Sequence, residues 1–167
     1  MTGSQFSSFT VEMRIEVKIT THLGDIHTFV EGDVVRYLVS LNRDAYILMI
    51  YEDANRALYQ VYPDSSMEDG FLHAGIYLQI PGNAEKEKFV VTAPFGNETM
   101  WVFASNKPFP GLYSPRYQKG FFLLNHSLDD IRNNLKNYAE NMDAGFGETK
   151  MDIETFSNTT TEGLTNL

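Results

Sequence analysis

From Val11 to Thr21 apolar and polar residues alternate. Val11, Met13, Ile15, Val17 and Ile19 fall on one side, and Glu12, Arg14, Glu16, Lys18 and Thr20 on the other. An extended strand points successive side chains to opposite faces, whereas a helix would scatter these apolar residues around its circumference. A strand with one wet face is therefore expected here, and the chain beyond it repeats short runs of this kind between turn signals. Val34–Leu41 follows Glu31-Gly32-Asp33, and Asn42-Arg43-Asp44 turns into Ala45–Tyr51. That run is apolar on both faces, which predicts a central place in a sheet. Asp53–Arg56 turns again into Ala57–Tyr62, expected to complete a meander with the two runs before it.

Pro63–Gly70 is an acidic loop, because proline removes a ladder donor and Ser, Asp and Gly favour turns. Ile76–Ile80, Phe89–Ala93 and Thr99–Ser105 are three further predicted strands, closed or separated by Pro81-Gly82 and Pro94-Phe95-Gly96-Asn97. Thr99–Ser105 carries the only tryptophan, Trp101, is apolar on both faces and is also expected to be central. Lys107–Lys119 reads as an extended, irregular connection. Ser127 followed by Asp130 approximates a capping box, and Leu128, Ile131, Leu135, Tyr138 and Met142 follow at helical spacing. One amphipathic helix is predicted at about 128–142, stopped by Gly145 and Gly147, with Met151–Phe156 as an edge strand.

Short strands joined by turns, without long helices between them, favour a sandwich over a βαβ sheet. The expected fold is a mainly β, antiparallel β-sandwich, immunoglobulin-like or related, with one C-terminal amphipathic helix. It would form a single domain over residues 1–156, followed by a mobile polar tail at 157–167. A chain of 167 residues is long enough to bury a core without disulfides, which its lack of cysteine rules out in any case. The aromatic fraction of 13% suits such a core. A formal net charge of −9 argues against a nucleic-acid partner, whose binding needs clustered Lys and Arg. No segment approaches the roughly 20 apolar residues of a membrane-spanning helix. Met1–Ser8 lacks the basic and apolar regions of a leader. The Met-Thr-Gly-Ser opening also fits a chain whose leader has been removed, and on that reading periplasm or cell envelope is favoured over cytoplasm.

The order of short motifs resembles the bacterial domain-of-unknown-function family numbered 4384 over about residues 30–110. The residues that carry the resemblance are Glu31-Gly32-Asp33-Val34-Val35, Asn42-Arg43-Asp44-Ala45-Tyr46, Val61-Tyr62-Pro63-Asp64, Ala74-Gly75, Ile80-Pro81-Gly82 and the pair of runs around Pro94-Phe95-Gly96. Ala45 and Tyr62 stand where that family more often has Gly and Phe. Its members accompany other modules, such as protein kinases and caspase-like peptidases, or occur in envelope-associated proteins. The resemblance thus implies an accessory interaction domain and offers no catalytic residues.

Local motifs for chemistry are absent. His22, His27, His73 and His126 form no i, i+4 pair and no His-Glu-x-x-His arrangement. Asp64, Glu68 and Asp69 lack the register of a calcium loop. There is no Gly-x-Ser-x-Gly elbow, Ser-x-x-Lys motif or phosphate-cradling glycine loop. No catalytic residue, metal ligand or cofactor is therefore assigned. A hydrolase would need His73 or His126 to meet both a serine and a carboxylate in the fold. Phe109, Tyr113, Arg116 and Tyr117, interleaved with prolines, are the candidate partner-binding residues, since Tyr and Arg are enriched at interface hot spots. The plainer alternative is that this stretch covers a sheet edge and tucks its aromatics into the core. The expected function is a non-catalytic protein-binding or assembly module of a bacterial, envelope-associated system. The competing reading is a small-ligand or glycan-binding β-domain, which calls for a concave, aromatic-lined pocket with convergent polar groups.

Overall fold

The computed structural model describes residues 14–24, 26–63, 69–82, 89–109, 117–118 and 121–158, with residues 117 and 118 described in their backbone only. The strands are β1 (Val17–Thr21), β2 (Thr28–Val30), β3 (Tyr37–Leu41), β4 (Ala45–Glu52), β5 (Leu58–Tyr62), β6 (Phe71–Leu72), β7 (Leu78–Ile80), β8 (Asn97–Ser105), β9 (Tyr117–Gln118), β10 (Phe121–Leu124) and β11 (Phe146–Phe156). One helix among the described residues, α1 (Leu128–Asn141), precedes β11.

The fold is a mainly β sandwich of two unequal sheets with α1 on the outside. The small sheet has the order β1-β3-β7. The large one runs β2-β11-β8-β4-β5-β10-β9, with β6 also paired to β4. All pairings between named strands are antiparallel except β2 with β11, which is parallel.

The two strands expected to be central are central, and their sequences show why. In β4, Ala45, Ile47 and Met49 enter the core between the sheets, while Leu48 and Ile50 enter a second core beneath α1. In β8, Met100, Val102 and Ala104 face the first core and Phe103 the second. A strand apolar on both faces can be satisfied only where both faces are covered, here by a sheet and a helix.

Ile131, Leu135 and Ala139 lie along the buried stripe of α1. The Ser127 side chain accepts the Asp130 amide at 3.1 Å, as the capping pattern predicts. The stop differs from expectation. It comes at Asp143, at φ +50°, ahead of the two glycines. Ala144 N–H reaches Ala139 O at 2.8 Å and Asp143 N–H reaches Glu140 O at 3.2 Å, the paired bonds of a Schellman motif. Gly147 serves another need. The chain crosses β11 so closely there that a methyl group would collide with the Ile15 carbonyl, and Ile15 N–H bonds Phe146 O at 3.0 Å.

Other expectations are corrected. The meander is broken, because β3 joins the small sheet while β4 and β5 remain a hairpin in the large one. The alternation of β3 and the apolarity of β4 specify burial, not which sheet each strand enters. Phe89–Ala93 forms no strand; only Val90 bridges, to Val34. Met151–Phe156 is the second half of β11, which lies inside the large sheet between β2 and β8. The short strands β2, β6, β9 and β10 were not anticipated. The first three span only two or three residues, too short to show a period. The expected first strand is described from Arg14 onward, and its Val11–Met13 portion lies outside the described residues, as does most of the 157–167 tail.

Candidate functional site

Between the sheets lies a cavity of about 70 Å³, lined on its polar side by Tyr37, Tyr51, Asp53, Tyr59 and Glu98 and roofed by Phe89 to Pro94. The backbone explains its position. Gly32 N–H bonds Val91 O at 3.0 Å, Val91 N–H bonds Asp33 O at 2.8 Å and Val35 N–H bonds Phe89 O at 3.0 Å. The Gly32-Asp33 turn therefore holds the 89–91 segment against the sheet as a wall. Asp33 also closes its own turn, accepting the Val30 amide at 2.9 Å while its own N–H reaches Val30 O at 2.9 Å. Thr92 and Ala93 are exposed at the mouth.

Two carboxyl groups are buried here. Glu98, at the start of β8, is 7% exposed. It accepts hydrogen bonds from the Tyr51 hydroxyl and, at 3.0 Å, from the Thr155 hydroxyl of β11. Thr155 is fixed in turn by the Gly96 amide, which donates to its oxygen at 3.1 Å. Asp53, 5% exposed, directly follows β4. Its Oδ1 accepts the amides of Asn55 and Ala57, each at 2.9 Å, which shapes the turn into β5. Such side-chain capping of a turn is the usual work of an aspartate, and it positions the carboxyl at the cavity wall.

The tyrosines are held in their protonated form. Burial, then the nearby Glu98, pushes the Tyr37 phenol far above its usual range. Burial, the same carboxyl and the hydrogen bond to it do likewise for Tyr51. For Tyr59 the causes are burial and then Asp53. The Tyr51 and Tyr59 rings stack at 6.2 Å with 29° between planes, and Tyr37 meets Phe89 edge-on at 6.1 Å. No Lys, Arg or His stands among the described residues that line the cavity. The arrangement offers hydrogen-bond acceptors, hydroxyls and aromatic faces.

The candidate partner-binding residues do not converge on this site within the described residues. Phe109 is half-buried and packs edge-on against Phe146 at 6.4 Å, beside the core under α1. Tyr113 and Arg116 lie outside the described residues, and Tyr117 is known only as a β9 residue paired with Phe122. His73 Nδ1 meets Asp44 Oδ2 at 3.3 Å on the surface, and among the described residues no serine joins that pair. Asp44 also accepts the Ala74 amide at 2.8 Å. This clamps a turn, with Gly75 at φ +81°, that displays Ile76 and Tyr77 to solvent.

Sequence reasoning missed Tyr37, Tyr51, Asp53, Tyr59 and Glu98 as a set. Each reads locally as a strand or turn residue. The one available signal was the concentration of tyrosine and acid at strand ends, which does not reveal which ends meet.

Fold and site together define a mainly β sandwich with a cavity between its sheets whose lining combines tyrosines and carboxyls with apolar residues. Residues 28–108 match the model of a family described as Domain of unknown function (DUF4384). The matched segment supplies every described cavity-lining residue except Phe121 and Ile153. No curated protein and no solved structure matches the chain. No helix among the described residues is long and apolar enough to cross a membrane.

Proposed function

We propose that this chain is a non-catalytic recognition module that binds another protein as an accessory or assembly part of a bacterial, envelope-associated system. One observation carries the reading. The cavity, about 70 Å³ between the sheets, is lined by tyrosines and buried carboxyls beside apolar residues, and a concave site of this kind can receive a side chain offered by a larger surface. The Tyr-rich lining is also the composition of interface hot spots. A second reading, a site for a free small ligand, is favoured by the convergence of Tyr37, Tyr59 and Asp53 in a concavity.

The test is capture of a partner from the native host by three forms of the chain: wild type, Thr92→Trp, which obstructs the mouth, and Tyr77→Ala, which alters a distant exposed residue. We expect the partner to be lost from the first variant and kept by the second. Equal recovery from all three would remove the cavity from the interface.

A further inference from the structure

We infer that the open seam between β1 and β11 receives an extended segment of the protein partner, which adds to the edge of β11 as a short strand. The inference rests on the recognition reading above for the partner being a protein, and it concerns a groove that shares no lining residue with the cavity.

The hydrogen-bond ladder locates the seam. Thr155 N–H bonds Gly96 O at 2.8 Å, and the antiparallel register of β11 with β8 runs without a shift from Phe146 to Glu154. Alternation then turns Gly147, Thr149, Met151 and Ile153 toward β8 and leaves the N–H and C=O groups of Glu148, Lys150 and Asp152 facing the other way. On that side the chain bonds β11 at two places, Ile15 N–H to Phe146 O at 3.0 Å and Glu154 N–H to His27 O at 2.8 Å. Between them His27 Nδ1 meets Asp152 O at 3.1 Å, while the backbone groups of Glu148 and Lys150 have no hydrogen-bond partner on this side among the described residues.

The facing edge of β1 is open too. His22 N–H bonds Arg36 O at 2.8 Å and Asn42 N–H bonds Glu16 O at 3.2 Å, so the even-numbered residues face β3. Val17 and Ile19 therefore turn their backbone groups away from β3, as Ile15 does where it meets β11. Ile19, Thr20, Gly24 and His27 form one wall of the groove, and Thr149 to Asp152 form the other. The edge of β2 is closed by contrast, because Asp33 accepts the Val30 amide and donates its own to Val30 O, each at 2.9 Å. An unpaired edge is a template for another strand. Glu148 to Asp152 spans about 13 Å, room for about five extended residues. Met151 points into the core, and the Lys150 and Asp152 side chains point to solvent. The segment that fits this edge alternates apolar residues, turned inward beside Met151, with polar ones turned out.

The probes are the acetylated and amidated pentapeptide Thr-Val-Thr-Val-Thr and the same peptide N-methylated at its backbone amides. Each is titrated into the full chain and followed at the amide signals of Glu148 and Ile19 by NMR. The unmodified peptide should give saturable shifts there in the millimolar range and slow the hydrogen exchange of the Lys150 amide, and the methylated one should do neither. Lys150→Pro removes a donor of the open edge and no bond to β8, so it should weaken binding at least tenfold. Lys150→Ala loses the same side chain but keeps the amide, and it should bind within about twofold of the wild type.

Equal binding of the methylated peptide, or full retention by a folded Lys150→Pro, would overturn the inference. Should the proline variant fail to fold, the methylated peptide decides alone. A chain that sediments as a dimer, and as a monomer with Lys150→Pro, would also overturn it by making a second copy the occupant. Partner capture lost with Thr92→Trp while the peptide gives no response would sink the seam and leave the recognition reading standing. Peptide binding in the seam with capture untouched by Thr92→Trp would uphold the seam and remove the cavity.

Discussion

At the scale of single residues, conformation and burial make two expectations concrete. Asp143 closes α1 in the left-handed region, where glycine carries no Cβ penalty. Asp143→Gly should therefore stabilise the fold by about 0.5–1 kcal/mol, read as a higher midpoint in urea. The tyrosines give the chain a signature in alkali. A phenol in the unfolded chain ionises near pH 10, whereas Tyr37 and Tyr51 keep their protons to higher pH in the folded chain. The folded state thus binds more protons above about pH 10, and stability falls as pH rises beyond that point while being complete below it. Tyr37→Phe should flatten this decline by about 1.4 kcal/mol per pH unit, measured by denaturation at stepped pH. The capping role of Ser127 was legible from its position three residues before Asp130. The role of Asp143 was not, because two nearby glycines offered a more obvious stop.

At the scale of elements, α1 is held by one apolar stripe and one ion-pair cluster. Arg132 pairs with Glu148 of β11, Lys136 reaches the same carboxylate at 3.4 Å, and the Arg132 guanidinium lies 4.8 Å from the centre of the Trp101 ring. The pairs are partly exposed, so the stripe carries most of the docking energy. Leu135 is fully buried, and Leu135→Ala should cost about 2–5 kcal/mol, checked by the unfolding free energy in urea. Helical spacing announced this stripe, as apolarity on both faces announced β4 and β8. The length of β11 stayed hidden. Its first half, Phe146–Lys150, combines two intermediate residues, Glu148 and Thr149, with a glycine required by the Ile15 crossing. Those features resemble a loop until the crossing and the Glu148 ion pairs are seen.

At the scale of the whole molecule, the family match and the structural unit have different limits. Residues 28–108 contain β2 to β8, but β2 joins the large sheet only through β11, and α1 covers the second core from outside that range. A fragment of residues 28–108 would expose Phe103, Ile50 and Leu48 on one face and leave β2 without its ladder. It should fail to give a cooperative thermal transition, whereas residues 14–158 should give one by circular dichroism. The sequence by itself determined the β class, the two central strands and the single capped helix, because alternation, two-sided apolarity and helical spacing are local consequences of which faces must leave water. Only the tertiary structure decided which sheet each strand joins, that β11 runs inside the sheet, and that Tyr37, Asp53 and Tyr59 surround one cavity. Those outcomes depend on contacts between residues far apart in the chain, whose local patterns are compatible with several pairings.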